Sequence, residues 1–162
     1  MTTVILDTDF LSSFLKIERC GLIRAFYANA RIVIPLAVHR ELAPTDLLKP
    51  LLAIDWITVE PLEPPVPPTL RQNAVFQNLG AGEQAGLLLA QHDPDSVLLI
   101  SDNLARQFAR ALGLTTVNIP AFLLACKLAG LIQPDQMAPI ILDLKSKDFY
   151  DFKAAIRAAL LE

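Results

Sequence analysis

The chain has 162 residues, enough for one domain with a full core, and 53% of them are apolar against 19% charged. The net charge of −3 excludes sequence-blind nucleic-acid binding through a broadly basic surface, but not a nuclease whose acidic site is neutralised by metal. No apolar run approaches the ~18 residues of a membrane span, the N-terminus lacks the basic start and cleavage site of a signal peptide, and Cys20 and Cys126 read as spare thiols in a reducing cytoplasm.

Residues 3–6 (TVIL) are the first expected strand, and Phe10, Leu11, Phe14, Leu15 and Ile17 form a helical stripe after it. Helix is expected over 18–29, and RIVIP (31–35) is a short buried strand stopped by Pro35. LAVHRELA (36–43) is helical up to Pro44, and TDLLKPLLA (45–53) is a short helix with Thr45 as its N-cap. WITVEP is the third strand. The five prolines of 61–70 forbid helix and central strand and predict a rigid loop. Two helices, 71–80 and 82–92, break around Gly80-Ala81-Gly82, and SVLLIS (96–101) is a buried strand. Its helix, 102–113, closes on Gly113 at the C′ position. LTTVNI is a further strand, 120–131 a helix with Gly130 as its stop, and 134–145 and 147–161 the last two helices. Short apolar strands alternating with helices predict a parallel sheet covered on both faces, an α/β fold in a single domain over 1–162.

In such a sheet functional groups gather beyond the C-terminal strand ends. Asp7 and Asp9 follow the first strand, Asp102 follows VLLIS, Glu41 lies on the helix after RIVIP, and Glu83 opens the helix after Gly80 and Gly82. Each acid also has a structural explanation. Asp9 caps the helix from Phe10, Asp102 caps the helix from Asn103, Glu83 complements a helix dipole, and Glu41 faces solvent beside Arg40. Asp7 resists this explanation because it stands too early to cap the expected helix. Clustered carboxylates repel one another unless protonated or matched by a cation. An all-oxygen set suits Mg²⁺ or Mn²⁺, which activates water and stabilises in-line displacement at phosphorus. His39 and His92 are isolated, and the serines lack a nearby histidine base.

The ordered set ILDTDFLSSF, VHREL, GAGEQAGLLLA and LLISDNLARQFARALGL, from Val4 to about Ile132, resembles the PIN domain family. Many members are metal-dependent ribonucleases, among them the VapC toxins of toxin–antitoxin pairs. The resemblance implies a three-layer α/β/α fold with a central parallel sheet. It implies that Asp7, Glu41, Glu83 and Asp102 match the family's acidic positions, with Asp7, Asp102 and Glu83 holding Mg²⁺ or Mn²⁺. Many family nucleases carry another acid after the next strand. Here TTVNIPAF offers Asn118, which ligates through its carbonyl but adds no charge. Ser12 and Ser101 are placed to orient carboxylates or water, and Arg106 or Lys127 to hold a substrate phosphate, Arg106 having the alternative of pairing with a carboxylate at the core edge.

The function expected is endoribonuclease activity on RNA, with an antitoxin protein as a partner, no membrane association, and a homodimer that covers apolar residues left over by so hydrophobic a chain. The alternative is a degenerate PIN-like binding module. A third reading starts from Asp-x-Asp after a strand, which resembles the haloacid-dehalogenase phosphatases. RIVIPLA, however, offers no hydroxyl, and SDN no second acid downstream.

Overall fold

The computed structural model describes residues 1–162. Strands β1 (Thr3–Leu6), β2 (Arg31–Pro35), β3 (Ile57–Glu60), β4 (Ser96–Leu99) and β5 (Thr116–Val117) form one all-parallel sheet in the order β3-β2-β1-β4-β5. Between and after them run α1 (Thr8–Lys16), α2 (Gly21–Phe26), α3 (Leu36–Leu42), α4 (Leu48–Leu52), α5 (Pro68–Arg71), α6 (Ala74–Gln77), α7 (Ala81–His92), α8 (Asn103–Ala111), α9 (Ile119–Leu128), α10 (Pro134–Asp148) and α11 (Ala154–Leu161).

Successive strand residues point to opposite faces, and both faces are covered. Val4, Leu6, Ile32, Ile34 and Leu99 enter the core beneath α1, α9 and α10, where Phe10, Phe14 and Phe122 pack edge-on or stacked at 5.2–5.7 Å. Ile5, Val33, Leu98 and Ile100 enter the second core beneath α7 and α8. Burial on both sides explains why these strands read as continuous apolar runs. The result is the expected three-layer α/β/α arrangement, with β1 in the middle of the sheet.

Several boundaries differ from expectation. The proline segment ends in a turn of helix, because Pro67 and Pro68 stand just before and at the first helical position, where no N–H is needed. The first helix of the 71–80 segment is only α6. Helix 18–29 contracts to α2, and α4 starts at Leu48, with Thr45 Oγ accepting from the Leu47 N–H ahead of it. Helix α10 runs on to Asp148, and Phe149 then turns the backbone left-handed at φ 54°. Helical spacing over 147–161 would put Phe149, Phe152, Ile156 and Leu160 on one stripe, but the turn takes Phe149 out of it: Phe149 is 91% exposed, while Phe152 and Leu160 are buried. Gly113 and Gly130 do adopt the positive φ expected of helix stops, at 82° and 76°.

Candidate active site

Asp7 is the first residue past β1. Its backbone N–H donates to Leu99 O at 3.0 Å, so the ladder to β4 continues through it. Contrary to expectation, Asp7 and not Asp9 caps the helix. Helix α1 opens at Thr8, and Asp7 Oδ1 accepts from the Phe10 N–H at 2.7 Å. The apolar stripe starts two residues later than the helical backbone does, which is why the sequence misplaces the cap. Asp7 is 0% exposed, and its Oδ2 has no hydrogen-bond partner.

On the neighbouring strand the pattern repeats. After β4, Asp102 is the N-cap of α8, and its Oδ2 accepts from the Ala105 N–H at 2.8 Å. Glu83 sits in the first turn of α7 and accepts from the Gly80 N–H at 3.0 Å. Glu41, on α3, reaches across to α7 and accepts from the Gly82 N–H at 2.6 Å. Gly82 permits that approach: a Cβ there would lie 2.3 Å from Thr8 Oγ and 3.1 Å from Glu41 Oε1.

Electrostatics tie these acids together. Burial holds the Asp7 carboxyl well above the usual range. The Phe10 and nearby Ser101 amides pull the other way, and the charges of Asp9 and Glu83 add to the rise. Asp9 is raised by desolvation, then by Glu41, Asp102 and Asp148. Glu83 is raised by desolvation against the Gly80 hydrogen bond, then by Asp102, Asp9 and Glu41. Asp7, Asp9, Glu41, Glu83 and Asp102 therefore share one rim. Asp9 is a member of the group and not only its neighbour. Asp148 was not foreseen. It closes α10, accepts from the Ser13 hydroxyl, pairs with Lys16 at 2.9 Å, and raises the proton affinity of Asp9. No motif marks it, since it follows no strand.

The remaining expected site residues lie on two flanks. Ser12 lines a cleft of about 500 Å³ with Thr8, Lys16, Glu41, Thr45 and Lys147. On the other flank Asn118 caps α9, its Oδ1 accepting from the Ala121 N–H at 3.0 Å, and lines a cavity with Arg106. The core-edge ion pair considered for Arg106 is absent: its Nε is buried without a partner, and it joins none of the six ion pairs. Lys127 donates to Ala159 O on α11, a structural contact. No group of three His, Cys, Asp or Glu side chains is close enough to enclose an ion directly.

A five-stranded parallel α/β/α sheet with acids gathered at its C-terminal edge defines a nuclease-like fold. Residues 3–162 match the family described as the PIN domain, and the chain belongs to that family. The phosphatase reading of Asp-x-Asp is thereby set aside. No curated protein matches the chain. No helix is long and apolar enough to cross a membrane.

Proposed function

We propose that the chain is a Mg²⁺- or Mn²⁺-dependent endoribonuclease that hydrolyses RNA phosphodiester bonds at the acidic rim. Asp7 carries this reading: a carboxylate at 0% exposure, with one oxygen unpartnered, faces other carboxylates from separate segments. Such a group is unfavourable until a cation meets it. The donors are all oxygens, which suits a hard divalent ion. No three of them are placed to enclose an ion directly, so a bound ion would have to complete its coordination with water. Asp7, Glu83 and Asp102 would hold it, with Asp9 alongside. Once bound, the ion neutralises the carboxylates, activates water and stabilises charge developing at phosphorus.

The chain's own groups do the rest. Glu83 gives one oxygen to the Gly80 N–H, and its other oxygen is left to hold a water bound to the ion and to take that water's proton. Ser12 and Lys16 line the path of the RNA on one flank, and Arg106 meets a phosphate on the other. The domain acts as one unit over residues 1–162. A toxin role, with an antitoxin protein as its restraint in the cytoplasm, extends the same reading.

The test is hydrolysis of single-stranded and structured RNA with Mg²⁺ or Mn²⁺, suppressed by EDTA. Asp7→Asn and Asp102→Asn are each expected to abolish it while circular dichroism stays native. If both variants cut RNA as fast as wild type, the reading is wrong. The competing reading, a binding module without catalysis, draws on Asn118 standing where a further acid is expected. Calorimetry separates the two, because the enzyme binds Mn²⁺ and Asp7→Asn does not.

A further inference from the structure

Beyond Asp102 lies a cavity of about 280 Å³, walled by α8, the start of α9 and the segment joining α10 to α11. Hydrolysis makes no use of most of it. Besides Asp151, its polar lining is Asn103, Arg106, Gln107, Asn118, Tyr150 and Lys153. Asn103 directly follows Asp102, and Arg106 stands one turn further along the same helix, so the cavity adjoins the acidic rim.

Its chemistry is specific. Arg106 is half-buried with no ion pair and an orphaned Nε, so its planar donor fork lacks an anionic acceptor. Asn118 spends its Oδ1 on Ala121, which leaves its amide NH₂ to donate into the cavity. The carboxamides of Asn103 and Gln107 add both donors and acceptors. The Tyr150 ring is half-buried and braced edge-on by Phe152 at 5.1 Å and 73°. Asp151, the single acid of the lining, is answered within the chain by Arg157 at 2.6 Å and Lys145 at 3.7 Å. An aromatic face, amide edges and an unanswered guanidinium are what an unstacked RNA nucleotide requires. At about 280 Å³ the cavity lies at the lower end of ligand pockets, roughly 300 Å³ upward, and so has room for no more than one nucleotide.

We propose that this cavity binds one ribonucleotide of the substrate strand beside the phosphate to be cut. Its base lies against Tyr150 and is read by Gln107, Asn103 and Asn118, and its phosphate is held by Arg106. The position relative to the cut rests on the nuclease reading; the binding does not. Asn118 thereby belongs to the substrate side of the site and not to the ion.

The four ribonucleoside 5′-monophosphates, titrated into the whole chain in EDTA, test it by NMR. At roughly millimolar concentration, a usual affinity range for so small a ligand, at least one is expected to shift the side-chain amides of Asn103, Gln107 and Asn118 and the Arg106 Nε–H. Gln107 is exposed on α8, so Gln107→Ala keeps the fold, and it should weaken binding about tenfold, the scale of one lost hydrogen-bonding contact. Shifts confined to the Lys16 cleft, no shifts, or equal binding by Gln107→Ala overturn the proposal. Because EDTA stops hydrolysis, those failures leave the nuclease reading standing. A nucleotide bound here by a chain that cuts no RNA overturns the nuclease reading alone.

Discussion

The β1–α1 and β4–α8 junctions are built alike and buried differently. In each, an apolar strand runs into an aspartate whose carboxylate accepts from the N–H three residues on, at 2.7 Å for Asp7 and 2.8 Å for Asp102. Asp102 is exposed, whereas Asp7 is 0% exposed. Position in the sheet makes the difference. β1 is flanked by β2 and β4 and covered from both faces, while β4 has only the two-residue β5 on its far side. A cap stabilises a helix by about 1 kcal/mol, and Asn would serve nearly as well. Burying a charged carboxylate costs more than that. Capping therefore explains Asp102 as structure, but at position 7 it leaves a buried carboxylate that a proton, or the ion proposed above, would have to neutralise.

The sharpest way to break this comparison is Asp7→Asn. Asn keeps the Oδ1 acceptor for Phe10 and removes the buried charge, so hydrolysis should fall by orders of magnitude while the metal-free Tm rises. A lower Tm would mean that the charge itself supports the fold. Asp102→Asn comes next. Hydrolysis should fall comparably with little change in Tm, and a rise as large as that of Asp7→Asn would erase the distinction.

The pH dependence sharpens it further. Asp7, Asp9 and Glu83 all bind protons more tightly in the folded chain than in the unfolded one. Their contribution to stability is complete below the usual carboxylate range and is lost as pH rises through their higher folded values. The Tm advantage of Asp7→Asn over wild type should therefore widen from acid to neutral pH without metal. Adding Mn²⁺ should close the gap by stabilising wild type alone. A gap independent of pH and Mn²⁺ would place the stabilisation elsewhere.

Gly82→Ala is a smaller perturbation. The added methyl collides with Thr8 Oγ and crowds Glu41, which should cost about 1–3 kcal/mol of stability and slow hydrolysis less than either aspartate variant. Unfolding in urea reads the first effect. The smallest expected effect lies outside both junctions. Leu128 is 79% exposed, with Leu124 one turn before it on α9 and Leu161 on α11 also exposed. A weak homodimer through such residues should appear in sedimentation at roughly tens of micromolar, and Leu128→Glu should return it to monomer.

Much of the site was legible because strand ends are legible. Apolar runs stop abruptly at Leu6 and Ile100, and a parallel sheet sends functional groups to those ends. What was missed depended on the backbone path. The stripe beginning at Phe10 hid a helix that starts at Thr8, so the cap was assigned to Asp9. Helical spacing runs through Phe149, where the chain in fact turns left-handed; Phe152 reaches the core from the segment before α11, and Ile156 and Leu160 from α11 itself. Asp148 joins the acids only through the packing of α10 on α1, and no local signal announces it. The missing partner of Arg106 is likewise a fact of three dimensions.

The parallel pairing of β1 also bears on how the chain is made. β2 emerges from the ribosome soon after β1, but β4, which carries the chain to Asp102, follows only after the proline segment and α7. Until β4 emerges, Asp7 has β2 as its one sheet neighbour and lacks Asp102. Chains fold as units while they emerge, and here the unit closes late. Of Asp7, Asp9, Glu41, Glu83 and Asp102, Asp102 is thus the last to emerge, and the rim is completed only when β4 pairs with β1.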